Sequence, residues 1–246
     1  MATFVLVPGL FMGAWAWEAV AAELEAKGHR AVAVSLPGLA ERAGDDASTV
    51  GLASHADAVA EVLAAEGPGT VLVAHSYGAF PCVAAVDRRP ELVSRLVFVD
   101  TGSPETGESV VLTMPQLDLP TAVAGDAVPA PKEIPAVHGV PEAEHERWLR
   151  LATPQPVRTV TEPVELTGDW LRVPTTGVFC LSSGLSVEFA RSLHATGMPR
   201  FAKLAEPGVT FFELPTGHYP MLSAPLELAE VLERAAGGGG RSLYDS

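Results

Sequence analysis

Ser76 lies in the run VLVAHSYGAF, where an apolar stretch meets a sharp turn with Ala74 and Gly78 two residues to either side and then a helical pattern. A strand-to-helix turn this tight needs small residues at those two places. It lifts the central hydroxyl to the strand's end, beside the N–H groups of the helix start. A hydroxyl so held can attack a carbonyl carbon, although a serine that merely caps the helix would sit in the same turn. Two other stretches favour attack. LVPGLFMGAW (6–15) follows the first apolar run, and the N–H of Leu10, after Gly9, would join that of Tyr77 in stabilising an oxyanion. FELPTGHYP places His218 in a loop after the last apolar run, from which it can reach back to Ser76 as a general base. The remaining histidines compete poorly. His75, next to Ser76, should point elsewhere, and His29, His55, His138, His145 and His194 read as surface or polar-core groups.

These residues need a scaffold that brings distant loops to one edge. Six short runs rich in β-branched and aromatic residues supply it: 3–9, 30–38, 70–78, 95–102, 175–183 and 209–218. Nearly continuous apolar runs suit parallel strands covered on both faces. Helical patterns at 14–27, 49–65, 77–88, 186–196 and 225–236 would be the covers. The fold class is therefore α/β: a doubly wound, mostly parallel sheet of about six strands. Residues 103–172 interrupt the alternation with many prolines and one helical candidate, PEAEHERWLRLA (141–152), and read as a cap inserted between core segments 1–102 and 173–236. Trp148 and Trp170, with Met114 and Leu117, are weak candidates for lining a pocket under it, as is Gly9; a small core of the cap's own is the competing reading. GGGGRSLYDS (237–246) reads as a disordered tail.

Composition narrows the function classes. A net charge of −14 with only three lysines repels nucleic acid and anionic lipid. The longest early uncharged run is too short and too interrupted for a membrane span, and no basic segment precedes it as in a leader peptide, so a cytoplasmic protein is expected. Cys82 and Cys180 lie in apolar runs and read as buried thiols; no metal-ligand spacing is visible. A small-molecule substrate is the expected partner, and the oligomeric state is left open.

FVLVPGLFMGAWAWEAVAAELEAKGHRAVAVSLPG, VAHSYGAF, LVFVDTGSPETGES, ATPQPVRTVTEPV and GHYPMLSAPLELAEVL, in this order, resemble the small methylesterase and hydroxynitrile lyase family of α/β hydrolases. The resemblance implies an α/β-hydrolase fold and a cofactor-free enzyme with a capped pocket acting on small carbonyl compounds. Departures are informative. Pro8 precedes Gly9 where the family usually has histidine. The threonine and lysine of the lyase branch fall on Gly9 and Tyr219, which disfavours lyase activity. The family's acid falls on or next to Ser183, in TTGVFCLSSGLS (175–186).

Three answers for the group behind His218 stay open. Asp100, ending RLVFVD on a strand expected beside that of Ser76, could supply the carboxylate; Glu105, Asp169 and Glu188 are outsiders. Ser183 or Ser182 with water could orient the histidine in a weakened dyad. Or the scaffold performs non-hydrolytic chemistry such as cyclisation or decarboxylation, or only binds a ligand. The leading expectation is cleavage of a small, partly apolar carboxylic ester by Ser76, His218 and Asp100.

Overall fold

The computed structural model of the protein describes residues 1–117, 119, 125–134 and 138–245. Eight strands occur among them: β1 (Thr3–Val7), β2 (Arg30–Ala33), β3 (Thr70–His75), β4 (Val93–Val99), β5 (Ala127–Val128), β6 (Gln155–Pro156), β7 (Thr175–Cys180) and β8 (Val209–Leu214). Six form one parallel sheet in the order β2-β1-β3-β4-β7-β8. Every residue of β3 and β7 is buried, as expected of apolar strands sandwiched between helices. The helices α1 (Glu18–Ala26), α2 (Leu52–Glu66), α3 (Ala79–Arg88), α4 (Val110–Thr113), α5 (Glu142–Leu151), α6 (Arg158–Thr161), α7 (Val187–Ala195), α8 (Pro220–Ser223) and α9 (Pro225–Ala236) complete the chain. α1 packs on α9 and α2 on α3, so the sheet is covered on both sides. This is the doubly wound parallel sheet expected from the run-and-helix alternation and the α/β-hydrolase fold that the resemblance implied, with every strand of the six-stranded sheet inside an expected run but β4, which begins two residues early.

Residues 103–172 carry α4, the short antiparallel pair β5–β6, α5 and α6. Their apolar side chains, Val110, Val128, Trp148, Val160 and Trp170 among them, join the same contiguous cluster as the sheet residues. The end of the segment is clasped to α3 by Asp87. Its carboxylate accepts from Thr167 N–H (2.5 Å) and hydroxyl (2.9 Å), Gly168 N–H (3.0 Å) and Trp170 N–H (3.1 Å). Burial opposes ionisation of Asp87, but these donors outweigh it and hold the carboxyl below its ordinary value. Glu162 in turn accepts the Leu52 N–H at the start of α2.

The tail read as disordered is instead tied to β8 and to α7, whose Arg191 donates to the Leu243 carbonyl at 2.6 Å. Gly238 and Gly240 take positive φ and turn the chain back, so that Arg241 pairs with Phe211 of β8 and Leu243 is buried. A Cβ at Gly240 would come within 2.9 Å of Thr210 Cβ. The glycines allow a close approach, not a loose linker.

Candidate active site

The carboxyl ends of β1, β3 and β4 lie side by side, and each loop that leaves them holds one non-glycine residue in the left-handed region: Phe11 (φ 66°), Ser76 (φ 50°) and Asp100 (φ 51°). At Ser76 this follows from the turn between β3 and α3. Gly78 is required there because a Cβ would lie 2.8 Å from Pro8 O and 3.0 Å from Val7 O. His218 follows β8, at the end of the sheet order, and its ring reaches across. Its Nε2 stands 3.0 Å from Ser76 Oγ, and its Nδ1 2.6 Å from Asp100 Oδ2. Because a carboxylate only accepts, Nδ1 carries the proton; Nε2 is then an acceptor aimed at the serine hydroxyl.

Asp100 is itself held. Its Oδ1 accepts the Cys180 N–H at 2.9 Å and faces the Ser183 hydroxyl at 2.7 Å. Ser183 Oγ is also 2.7 Å from Cys180 O, so its single proton serves one acceptor at a time. Ser183 thus touches the acid and not the histidine, which the weakened-dyad alternative required. Burial works against the charge on Asp100, while the His218 hydrogen bond and charge and the Ser183 and Cys180 donors more than offset it and keep the carboxyl below its usual value. Glu188, by contrast, pairs with Arg191, and Asp169 with Arg172.

His75 does not simply point away. Its ring lies 4.7 Å from that of His218, and its Nε2–H donates to the His218 carbonyl at 2.7 Å. Full burial, then the nearby His218, push its pKa down to about 3, so it acts as a neutral strut for the loop that carries His218. The face of Gly9 that a side chain would occupy is filled: a Cβ would meet His75 Nδ1 at 2.9 Å and Ser76 Cβ at 3.1 Å. His55, read as surface or polar core, is fully buried behind Tyr77. It donates from Nε2 to Pro37 O and accepts the Tyr77 hydroxyl at Nδ1, both at 2.8 Å. Nothing in the local sequence signals either contact.

Leu10 follows Gly9 on the loop after β1, and Tyr77 is the middle residue of the short helical turn Ser76–Gly78 that leads from β3 into α3. Trp148 is the buried residue of α5 and joins the main core. Trp170 packs edge-on against Phe98 and beneath Lys203, and lines a cavity of about 220 Å³ between β7, α7 and residues 200–204. Neither Ser76 nor His218 lines that cavity, so Trp170 belongs to a different space from theirs. Among the described residues no group of three or more His, Cys, Asp or Glu side chains is spaced to hold a metal ion, and no helix is long and apolar enough to cross a membrane.

Residues 4–231 match the profile described as the alpha/beta hydrolase family. A carbendazim hydrolyzing esterase of Nocardioides sp. (strain SG-4G) is 31% identical over 248 residues, which cover 94% of this chain and 98% of that protein. Methylesterase 8 of Arabidopsis thaliana is 36% identical over 110 residues, 43% of this chain and 40% of its own length. Among solved structures, an extracellular alpha/beta-hydrolase from a Paenibacillus species superposes with a TM-score of 0.75 at 20% identity, covering 96% of this chain and 99% of that one. Tomato methylketone synthase I bound to 2-tridecanone does so with a TM-score of 0.73 at 20% identity, covering 96% and 98%.

Proposed function

The chain belongs to the alpha/beta hydrolase family and is a carboxylic ester hydrolase, and on that premise we propose that it cleaves small, partly apolar carboxylic esters through a Ser76–His218–Asp100 relay. The observation that carries the reading is the pair of contacts on one imidazole, 3.0 Å to Ser76 Oγ and 2.6 Å to Asp100 Oδ2. Ser76 attacks the ester carbonyl as its proton passes to His218 Nε2. The imidazolium is stabilised by the Asp100 carboxylate, and the oxyanion is held by the N–H groups of Leu10 and Tyr77. His218 then gives the proton to the departing alkoxide, and the alcohol leaves. Water, deprotonated by the same nitrogen, attacks the acyl-serine and releases the acid. Residues 103–172 act as the cap over this site and set which acyl and alkyl groups fit.

An organophosphonate tests the nucleophile. One equivalent adds at Ser76, located by peptide mass analysis, and Ser76→Ala removes both the adduct and turnover of p-nitrophenyl esters by several orders of magnitude. Ester turnover that survives Ser76→Ala in the purified protein overturns the assignment.

A further inference from the structure

We propose that Gln155, in the inserted segment, is a positioning residue for the oxyanion loop, so that the insertion helps to shape the oxyanion site as well as covering it. The proposal rests on the reading that Leu10 N–H serves the oxyanion. Phe11, the next residue, is clamped at both of its backbone polar groups by one short stretch of the insertion. Its N–H donates to Gln155 Oε1 at 3.0 Å, and its carbonyl accepts the Thr153 N–H at 3.0 Å. Gln155 is fully buried, and its amide cannot rotate freely because Nε2 donates to Thr159 Oγ1 at 2.7 Å, which in turn donates to Pro156 O at 2.6 Å. Thr153 is fixed separately, its Oγ1 accepting the Ala40 N–H at 2.9 Å.

The clamp holds a conformation the chain would otherwise leave. At φ 66° Phe11 occupies a region that bulky side chains rarely adopt, and its ring is buried in the core, so glycine cannot replace it without opening a cavity. With the acceptor gone, a buried N–H has no partner and the peptide between Leu10 and Phe11 is released to turn. That peptide is attached to the one carrying the Leu10 N–H. Oxyanion donors stabilise the developing charge only when aimed at where it forms, so a loosened loop costs rate in the transition state with little effect on substrate binding.

Gln155→Met, similar in length but without the acceptor, and Thr159→Val, which keeps the acceptor but removes the hydroxyl that orients the amide, are compared with wild type on p-nitrophenyl butyrate. Rates are normalised to sites titrated by the phosphonate. Inhibition is measured with a trifluoromethyl ketone, whose serine adduct bears an oxyanion, and with the matching methyl ketone. Gln155→Met is expected to lower kcat by about 10- to 100-fold, within the effect of losing one donor outright. KM should stay within about threefold, and the trifluoromethyl ketone alone should weaken by a factor like that in kcat; Thr159→Val should move the same readouts in the same direction by a smaller factor. If Gln155→Met does not fold, Gln155→Asn, one methylene short of Phe11, is read in the same way. Unchanged kcat per titrated site, or equal weakening of both ketones, overturns the proposal and shows a purely structural amide. A wild-type chain whose Ser76 takes no phosphonate overturns the nucleophile reading itself; a labelled chain indifferent to Gln155 overturns this one alone.

Discussion

Replacing Asp100 with asparagine separates charge from shape at the acid, and the structure dictates which way the new amide turns. Oδ1 faces two donors, the fixed Cys180 N–H and the Ser183 hydroxyl, so the amide oxygen must stay on that side. The NH₂ group is then driven to the Oδ2 position, 2.6 Å from His218 Nδ1. Two donors cannot share that contact. His218 shifts its proton to Nε2, which points an N–H at Ser76 and removes the base. The left-handed backbone at Asp100 is no obstacle, since asparagine adopts it as readily. The expected loss is in kcat, about 10²- to 10⁴-fold, or about 2.7 to 5.4 kcal/mol of transition-state stabilisation, with KM nearly unchanged. Ser183→Ala removes one of two donors to Oδ1 and leaves the tautomer intact, so its loss should be about tenfold or less. Initial rates on p-nitrophenyl acetate, with thermal melting to confirm the fold, give the answer. A well-folded Asp100→Asn protein with wild-type kcat, or a Ser183→Ala protein as damaged as Asp100→Asn, refutes the reasoning.

Gly9→Ala should cost about 10- to 100-fold in kcat and about 1–3 kcal/mol in stability, because its Cβ displaces His75 or Ser76; an alanine variant with wild-type rate and urea midpoint would show that the site yields. Asp87→Asn leaves one of the clasped donors facing another donor and should destabilise by about 1.5–3 kcal/mol at pH 7. Since the folded carboxyl of Asp87 titrates below its unfolded value, its contribution is complete above about pH 4 and is lost as pH falls through the lower folded value. Urea denaturation of the two proteins should therefore converge only in that acid window, and a gap that stayed constant down to pH 2 would contradict the linkage.

Ser76 and His218 could be found in the sequence because their signals are local: a small-x-Ser-x-Gly turn, and a histidine just past the last β-rich run. Asp100 was visible only as a candidate, since its claim depends on β4 lying beside β3 and no flanking residue marks it. Its tie to Ser183 was out of reach: the sequence suggested a choice between the two, whereas the fold makes one support the other. Contacts that cross the chain were invisible for the same reason. Gln155 meets Phe11 across 144 residues and Asp87 meets Trp170 across 83, and neither pairing leaves a periodicity or spacing to read. The tail misled for the opposite reason, because a glycine run has the composition of a linker whether the glycines are loose or are turning the chain tightly against β8.

Ala40, whose N–H binds Thr153, shares the left-handed backbone with Phe11, Ser76 and Asp100. Such positions cost on the order of 1–3 kcal/mol each, and three of the four sit on the working rim of the sheet. Selection for heat resistance would press on those three places and on Ala40 with equal force, since relief there is the same kind of gain. Of these four positions among the described residues, Ala40 is the one outside Ser76, Asp100 and Phe11, and even there a change acts on the backbone whose N–H fixes Thr153. A lineage or a laboratory screen that hardens this protein must find most of its gains elsewhere, because the strain at that rim is bound up with the proposed reaction.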